Sequence, residues 1–280
     1  MTPIKDTQMP QSQLEIIKDE IGNFNKSRKI TVQNTIPENG GIPSDDPLHW
    51  MRIPDIVSVF VDMKGSTELS ASTHEKSTAG AYQLFTGTAV RIFHDIQAPY
   101  IDVRGDGVFA LFNNDQVYRA IAAAVSFKTF VELEFVPKMR VQLGEEKAAK
   151  VGAHIGIDQK IVLVRRVGLR RYKNRDDRRN DVWAGKPVNM AAKLASRSEA
   201  GTLLVSDRYY HQITDDLVRK SCGCVGGTPD GAKADLWEEV DVSEDTKFDF
   251  DTAYCLKSHW CERHGKQFHD DILALDNKKK

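Results

Sequence analysis

Two aspartates stand where apolar stretches of the sequence give way to turns. Asp62 ends the β-branched run at residues 55–62, and Asp106 lies between two glycines in Gly105-Asp106-Gly107. If the first strand pairs with the strand that runs into the second turn, the two carboxylates lie side by side and repel each other. A divalent cation removes that cost and also binds phosphate oxygens. The pair therefore predicts a metal site that handles a phosphate-bearing substrate.

The turn after Asp62 contains Gly65, Ser66 and Thr67, whose backbone N–H groups are suited to bind phosphate oxygens. The alternative is that both aspartates only form turns. Asp-Gly is a common hairpin dipeptide, so a structural role is favoured for Asp106 taken alone. Asp62 differs because it ends a strongly apolar strand, and the two aspartates together favour metal and phosphate binding.

The elements that must position these residues follow the order β-α-β-β-α-β. The first strand precedes a helix, a hairpin that holds Asp106, a helix with Asp115 as its N-cap, and a second hairpin. A further helix and two strands complete the pattern. The predicted elements are at residues 55–62, 75–97, 100–104, 108–112, 115–135, 151–157, 161–167, 188–196, 202–206 and 236–240. This order predicts an α+β fold with a ferredoxin-like βαββαβ core and extra strands and helices.

The chain divides into three predicted parts. Residues 1–50 form an N-terminal extension and linker, in which residues 12–21 have the pattern of a short amphipathic helix and residues 37–47 are broken by Gly and Pro. Residues 51–241 are expected to form the main domain, which contains both aspartates. Residues 242–280 are expected to form a C-terminal helical appendage.

Composition excludes several classes of protein. The apolar fraction is 40%, and 39 basic residues nearly balance 40 acidic ones, for a net charge of -1. No apolar run is long enough to span a bilayer and no signal peptide is visible, so we expect a cytoplasmic protein without a membrane span. The basic stretch at residues 165–179 lacks interleaved aromatic residues beyond Tyr172, which argues against nucleic acid as a partner. It is best interpreted as a solvated arm, with contact to a triphosphate or to a second copy as the alternative.

Three motifs together resemble the class III adenylate/guanylate cyclase homology domain. They are Val59-Phe-Val-Asp62-Met-Lys-Gly-Ser-Thr67, then Arg104-Gly-Asp-Gly107, then Gly185-Lys-Pro-Val-Asn189-Met-Ala-Ala-Lys193. The resemblance covers roughly residues 54–240. It implies a class III cyclase fold, a nucleoside triphosphate as substrate and a 3′,5′-cyclic monophosphate and pyrophosphate as products.

The resemblance also implies the roles of individual residues. Asp62, Asp106 and the backbone carbonyl of Met63 would hold two divalent cations, Mn²⁺ or Mg²⁺, for an in-line displacement. Asn189 matches the residue that orients the ribose, and Lys193 stands where the family has an arginine that stabilises the transition state. Lysine keeps the charge but lacks the bidentate fork. The family works as a head-to-tail homodimer with composite sites, so Asn189 and Lys193 would serve the other protomer's aspartates.

Two departures from the family bear on the base. The position of the adenine-reading lysine is Asp102, and the segment at residues 181–185 carries one extra residue. In these features the chain looks most like the bacterial pyrimidine cyclases of antiphage defence (Pycsar type), whose cyclic UMP or cyclic CMP activates a separate effector. UTP is therefore favoured as substrate, with Phe60 shaping the base pocket and Arg104 binding substrate. The alternatives are a cytidylate or adenylate cyclase, or a degenerate domain that binds nucleotide and signals by protein contact, for which Lys193 is the one argument.

The C-terminal part contains cysteines and histidines that could hold zinc. They occur as Cys222-Gly-Cys224 and as Cys255 followed by His259, Cys261 and His264. This spacing is not a standard ligand pattern, so buried or incidental thiols are favoured over a structural zinc site.

Overall fold

A mixed sheet with helices on both faces forms the centre of the molecule. The computed structural model describes residues 10–38, 41–168, 179–225, 228–229 and 231–278. The strands are β1 (Lys29–Val32), β2 (His49–Lys64), β3 (Tyr100–Arg104), β4 (Gly107–Asn113), β5 (Gly152–Gly168), β6 (Arg179–Gly185), β7 (Leu203–Ser206), β8 (Cys224–Val225), β9 (Thr228–Pro229), β10 (Trp237–Asp241) and β11 (Thr252–Leu256). The helices are α1 (Gln11–Phe24), α2 (Ser66–Ser72), α3 (Glu75–Asp95), α4 (Val117–Phe130), α5 (Val136–Leu143), α6 (Glu145–Ala148), α7 (Lys186–Arg197), α8 (Asp207–Tyr210), α9 (Asp216–Arg219) and α10 (Gly265–Lys278). A π-helical turn, Val131–Phe135, joins α4 to α5.

The sheet confirms the predicted ferredoxin-like core. Its order is β10-β11-β7-β5-β2-β4-β3, with β1 added to β2 and β6 added to β5. Within it, β2-α3-β3-β4-α4-β5 forms the βαββαβ unit, in which the strands lie in the order β5-β2-β4-β3. One detail of the prediction is wrong: β2 pairs with β4, which leaves the hairpin, and not with β3, which runs into it. The β3–β4 turn still lies beside the end of β2 because the two hairpin strands are adjacent.

The side chains of strand β2 alternate between the two faces of the sheet. Val57, Val59 and Val61 alternate onto one face and are fully buried under α3 and α4. Phe60 and Asp62, which alternate with these valines along the strand, therefore point to the opposite face. The β-branched residues favour this extended, half-covered strand.

Strand β5 is continuous where two short strands and a turn were predicted. The polar triplet that suggested a turn, Asp158-Gln159-Lys160, lies in the strand and finds distant partners. Asp158 is fully buried and accepts two hydrogen bonds from Arg208, at 2.8 and 2.5 Å. Gln159 donates to Asp55 at 2.8 Å. Because the charged groups of Asp158 and Lys160 have partners elsewhere in the fold, the strand continues without a turn.

Helix α7 packs directly against β5 at Gly156. A Cβ atom at this position would lie 2.1 Å from the carbonyl oxygen of Ala191 and 2.5 Å from the backbone nitrogen of Ala195. The helix backbone therefore rests on the strand, which only glycine permits. This contact places α7 on the face of the sheet that Asp62 also faces.

A charged network joins α7 to the connection between β10 and β11. The carboxylate of Asp249 accepts from Lys186 at 2.8 Å, Lys160 at 2.9 Å and Arg208 at 3.0 Å. Partial burial acts to raise the pKa of Asp249, but the hydrogen bonds from these three cations outweigh it and hold that pKa well below its usual range.

The N-terminal segment contributes more to the fold than its prediction as extension and linker suggests. β1 pairs in parallel with β2, and Ile36 and Ile42 are buried in a second apolar cluster beneath the sheet. Helix α1 covers the range predicted as helical and buries none of its residues.

The C-terminal segment, predicted as a helical appendage, is only partly helical. β11 lies inside the sheet between β7 and β10. α10 packs on α4, where the buried carboxylate of Asp276 accepts from the backbone N–H groups of Tyr118 and Arg119 at 3.0 and 2.8 Å. Asp276 thus caps α4 in place of the predicted Asp115.

Most of the predicted basic arm, at residues 169–178, lies outside the described residues. Among the helices that the structure describes, none combines the length and the apolar character that crossing a bilayer requires.

Candidate active site

Asp62 and Asp106 come together at one end of β2. Val61 pairs with Val108 in the β2–β4 register, so the next residue, Asp62, lies beside the turn that carries Asp106. A Cβ atom added to Gly107 would lie 3.0 Å from Asp62 Oδ1 and 3.1 Å from Phe60 Cζ. A bare glycine therefore allows the strand to approach the Asp62 carboxylate closely.

The pKa of the Asp62 carboxyl group is affected by the nearby Asp106. Burial raises the pKa of its carboxyl group, and the negative charge of Asp106 raises that pKa further. The charge of His154, which stands opposite Asp62 in β5, and the backbone N–H of Met63 act in the other direction. His154 Nδ1 lies 2.8 Å from the carbonyl oxygen of Ser198, so the imidazole donates its Nδ1 proton there.

The donor atoms at this end of β2 fit a hard divalent cation. Two carboxylates repel each other across a partly buried corner, where a cation bound between them would remove the repulsion. The backbone of Met63 follows directly, and its side chain is buried in the core on the other face.

The glycine turn after β2 begins a helix. Gly65 has φ 78° and precedes Ser66, the first residue of α2. A Cβ atom at Gly65 would lie 2.7 Å from the carbonyl oxygen of Lys150, so the turn packs tightly on the segment that leads into β5. Ser66 is partly buried and Thr67 is exposed, and the N–H groups of this first helical turn have no partner within the helix.

Asn189 and Lys193 lie one turn apart on α7. Asn189 is exposed, and Lys193 is partly buried. In the single chain Lys193 Nζ donates to the carbonyl oxygen of Lys247 at 2.7 Å, not to either aspartate.

A polar pocket of about 320 Å³ opens between β3 and β6, and it contains two ion pairs. Arg104 contacts Asp102 at 2.7 Å, and Arg166 holds Asp181 through two hydrogen bonds at 2.6 and 3.0 Å. Tyr100 lines the same pocket, and burial raises the pKa of its phenol to about 12. Sequence reasoning named Arg104 and the position of Asp102, and it included Arg166 only as part of the basic stretch at residues 165–179. It missed Tyr100, whose residue type carries no local signal.

Comparisons with known proteins agree on the family. No protein-family model matches the chain. A uridylate cyclase of Propioniciclava tarda is 36% identical over 240 residues, which cover 85% of this chain and 75% of the relative. A uridylate cyclase of Micromonospora echinofusca is 32% identical over 227 residues, covering 80% and 71%. Among solved structures, the adenylyl cyclase CyaB from P. aeruginosa matches with a TM-score of 0.55 at 19% identity, over 74% of this chain and 95% of that one. The chain therefore belongs to the uridylate cyclase family and has the fold of the class III nucleotidyl cyclases.

Proposed function

We propose that this chain converts UTP into cyclic UMP and pyrophosphate. The observation that carries the proposal is the meeting of two carboxylates, Asp62 and Asp106, beside a glycine turn on the sheet face that α7 also covers. Relatives named uridylate cyclase, 36% and 32% identical, support the choice of base.

Asp62, Asp106 and the carbonyl of Met63 would hold two divalent cations, Mn²⁺ or Mg²⁺. Bound cations of this kind lower the pKa of the ribose 3′-OH and neutralise the triphosphate. The 3′-OH would lose its proton to solvent water as the 3′-oxygen forms a bond to the α-phosphorus. The bond from that phosphorus to the oxygen bridging to the β-phosphate would break, and pyrophosphate would leave. The N–H groups of Ser66 and Thr67 would orient the phosphates during this displacement.

The active unit in this proposal is a homodimer with composite sites. Asn189 and Lys193 of one protomer serve the aspartates of the other. The exposure of Asn189 on α7 supports this arrangement, since its amide is free to meet a ribose. Lys193 would exchange the Lys247 carbonyl for the triphosphate.

The polar pocket between β3 and β6 is our candidate for the site that binds the base. Its Asp102 occupies the position of the adenine-reading lysine, and its carboxylates and guanidinium groups suit the alternating carbonyl and N–H groups of uracil. Phe60 would pack against the ribose or the base. We further propose that the cyclic product acts in the cytoplasm as a second messenger of antiviral defence and is sensed by a separate effector.

The test is incubation of the purified protein with ATP, GTP, CTP and UTP in Mn²⁺ and in Mg²⁺, with cyclic products identified by mass spectrometry. We expect cyclic UMP as the main product. Asp106→Asn should lower turnover by about 10²-fold or more, because it removes the negative charge of a cation ligand without changing the shape of the turn. Asp19→Asn, an exposed change on α1, is the matched control and should leave turnover unchanged.

The outcomes separate the parts of the proposal. A cyclic purine or cyclic CMP would retain the mechanism and refute the assignment of the base. Substantial activity in Asp106→Asn would refute the metal site. A parent protein that turns over none of the four triphosphates would contradict the proposed activity.

A further inference from the structure

Four of the C-terminal cysteine and histidine side chains converge on one point. The thiols of Cys222, Cys224 and Cys261 and the imidazole of His264 bring their donor atoms within 4.8 Å of one another. Cys224 Sγ lies 3.3 Å from His264 Nδ1, and Cys261 Sγ lies 4.0 Å from the same nitrogen. We call these four residues the Cys/His cluster. All four are partly buried, and none of the three cysteines forms a disulfide.

The structure also separates this cluster from the other candidates in the sequence. Cys255 lies in β11, buried in an apolar cluster with Leu204 and Ala253. His259 contacts Glu132 at 2.9 Å. Two chain segments far apart in sequence therefore each contribute two ligands, and the nearby cysteine and histidine are engaged elsewhere.

The spacing of the donor atoms agrees with a tetrahedral zinc ion. Zn–S bonds of about 2.3 Å and Zn–N bonds of about 2.0–2.1 Å place tetrahedral ligand atoms roughly 3.5–3.8 Å apart. The two contacts at 3.3 and 4.0 Å bracket this range. A disulfide between any two of the thiols would leave the third thiol and the imidazole without a role.

We propose that the Cys/His cluster binds one Zn²⁺ ion with a structural role. Three thiolates and one imidazole complete a tetrahedral shell, which leaves no open position for catalysis. The ion would join the start of β8, with Cys222 before the strand and Cys224 as its first residue, to the segment before α10. These two segments border a cavity of about 720 Å³, so apolar packing between them is incomplete. Metal–ligand bonds would therefore hold together two segments that side-chain packing alone holds weakly. This site is independent of the aspartates of the active site.

The first test is the metal content of the full chain, purified without a polyhistidine tag, chelator or added metal. Mass spectrometry of the metals should find one zinc per chain. Protein produced with Co²⁺ in place of zinc should show the intense visible bands of a tetrahedral cobalt site together with thiolate-to-cobalt charge transfer. Zinc well below one ion per chain in folded protein with reduced thiols, and no such cobalt spectrum, would overturn the proposal.

The zinc content of single-residue variants tests which side chains bind the ion. Cys224→Ser and Cys261→Ser should each lose the zinc, whereas Cys255→Ala should retain it. Asp106→Asn should also retain it, which distinguishes this ion from cations at the active site. Full zinc content in folded Cys261→Ser protein would overturn the ligand assignment. If the cysteine variants do not fold, the zinc content and cobalt spectrum of the parent chain decide.

Discussion

Replacing Gly156 by alanine tests how closely α7 must rest on the sheet. The added methyl group would lie 2.1 Å from a carbonyl oxygen and 2.5 Å from a backbone nitrogen of α7, whereas ordinary contact begins near 3.4 Å. Both obstacles are backbone atoms, so the helix as a whole has to move by about 1 Å. Overpacking of this kind costs about 1–3 kcal/mol, and we expect the upper part of that range because no flexible side chain can yield.

The same shift has a functional consequence. Asn189 and Lys193, to which the proposed mechanism assigns the ribose and the transition state, move with α7. A misplacement of about 1 Å in a positioning group can lower turnover by about 10²-fold. Gly156→Ala should therefore lower both the melting temperature, by about 2–4 °C per kcal/mol lost, and the rate of cyclic UMP formation.

The assay pairs thermal unfolding followed by circular dichroism with turnover at saturating UTP. Gly80→Ala is the matched control, since a Cβ atom there meets nothing within 4 Å and the residue lies on the exposed side of α3. It should be neutral or stabilise the protein by up to about 1 kcal/mol. If the Gly156→Ala variant has the same melting temperature as the parent protein and turns over UTP at the same rate, the inferred contact between α7 and β5 is wrong.

Two further predictions concern charged groups. Because the pKa of Asp249 is lowered in the folded state, its contribution to stability is present above the unfolded pKa and is lost as the pH falls through the folded value. Asp249→Asn should thus cost about 1–3 kcal/mol in urea unfolding at pH 7 and less at pH 3, and equal losses at both pH values would contradict the proposed ion pairs. Lys193→Ala should lower turnover by about 10²–10³-fold, and mixing it with Asp106→Asn should restore activity through one intact composite site per heterodimer. Failure of the mixture, with heterodimers shown to form, would argue that each chain works alone.

The positions that local sequence could predict are those whose role is set by neighbours in the chain. Asp62 and Asp106 follow directly from a strand end and a glycine-flanked turn, and the sheet brings them together although the pairing strand was misassigned. The long helix α3 and the hairpin of β3 and β4 were predictable for the same reason, since periodicity and turn residues are local signals.

The errors arise where a distant residue satisfies a polar group. The predicted hairpin placed Asp158 in a turn, but the side chain is buried in a strand, where Arg208, fifty residues later, offsets part of the cost of burying its charge. Asp115 was the natural N-cap for α4, yet Asp276, near the other end of the chain, accepts from the first N–H groups of that helix. No local pattern contains either partner, so periodicity and capping rules could not find them.

The position of β11 constrains the order in which the sheet can be assembled. β10 precedes β11 in the chain, but in the described part of the structure it pairs with β11 and not with β7. β11 in turn pairs with β7. During synthesis, β10 therefore leaves the ribosome with no strand to join until residues 252–256 have followed it. The edge of β7 meanwhile presents unpaired N–H and C=O groups, the kind of edge that recruits strands from other chains. β10 and β11 are close in sequence and can pair locally, and their docking as a pair covers this edge of β7.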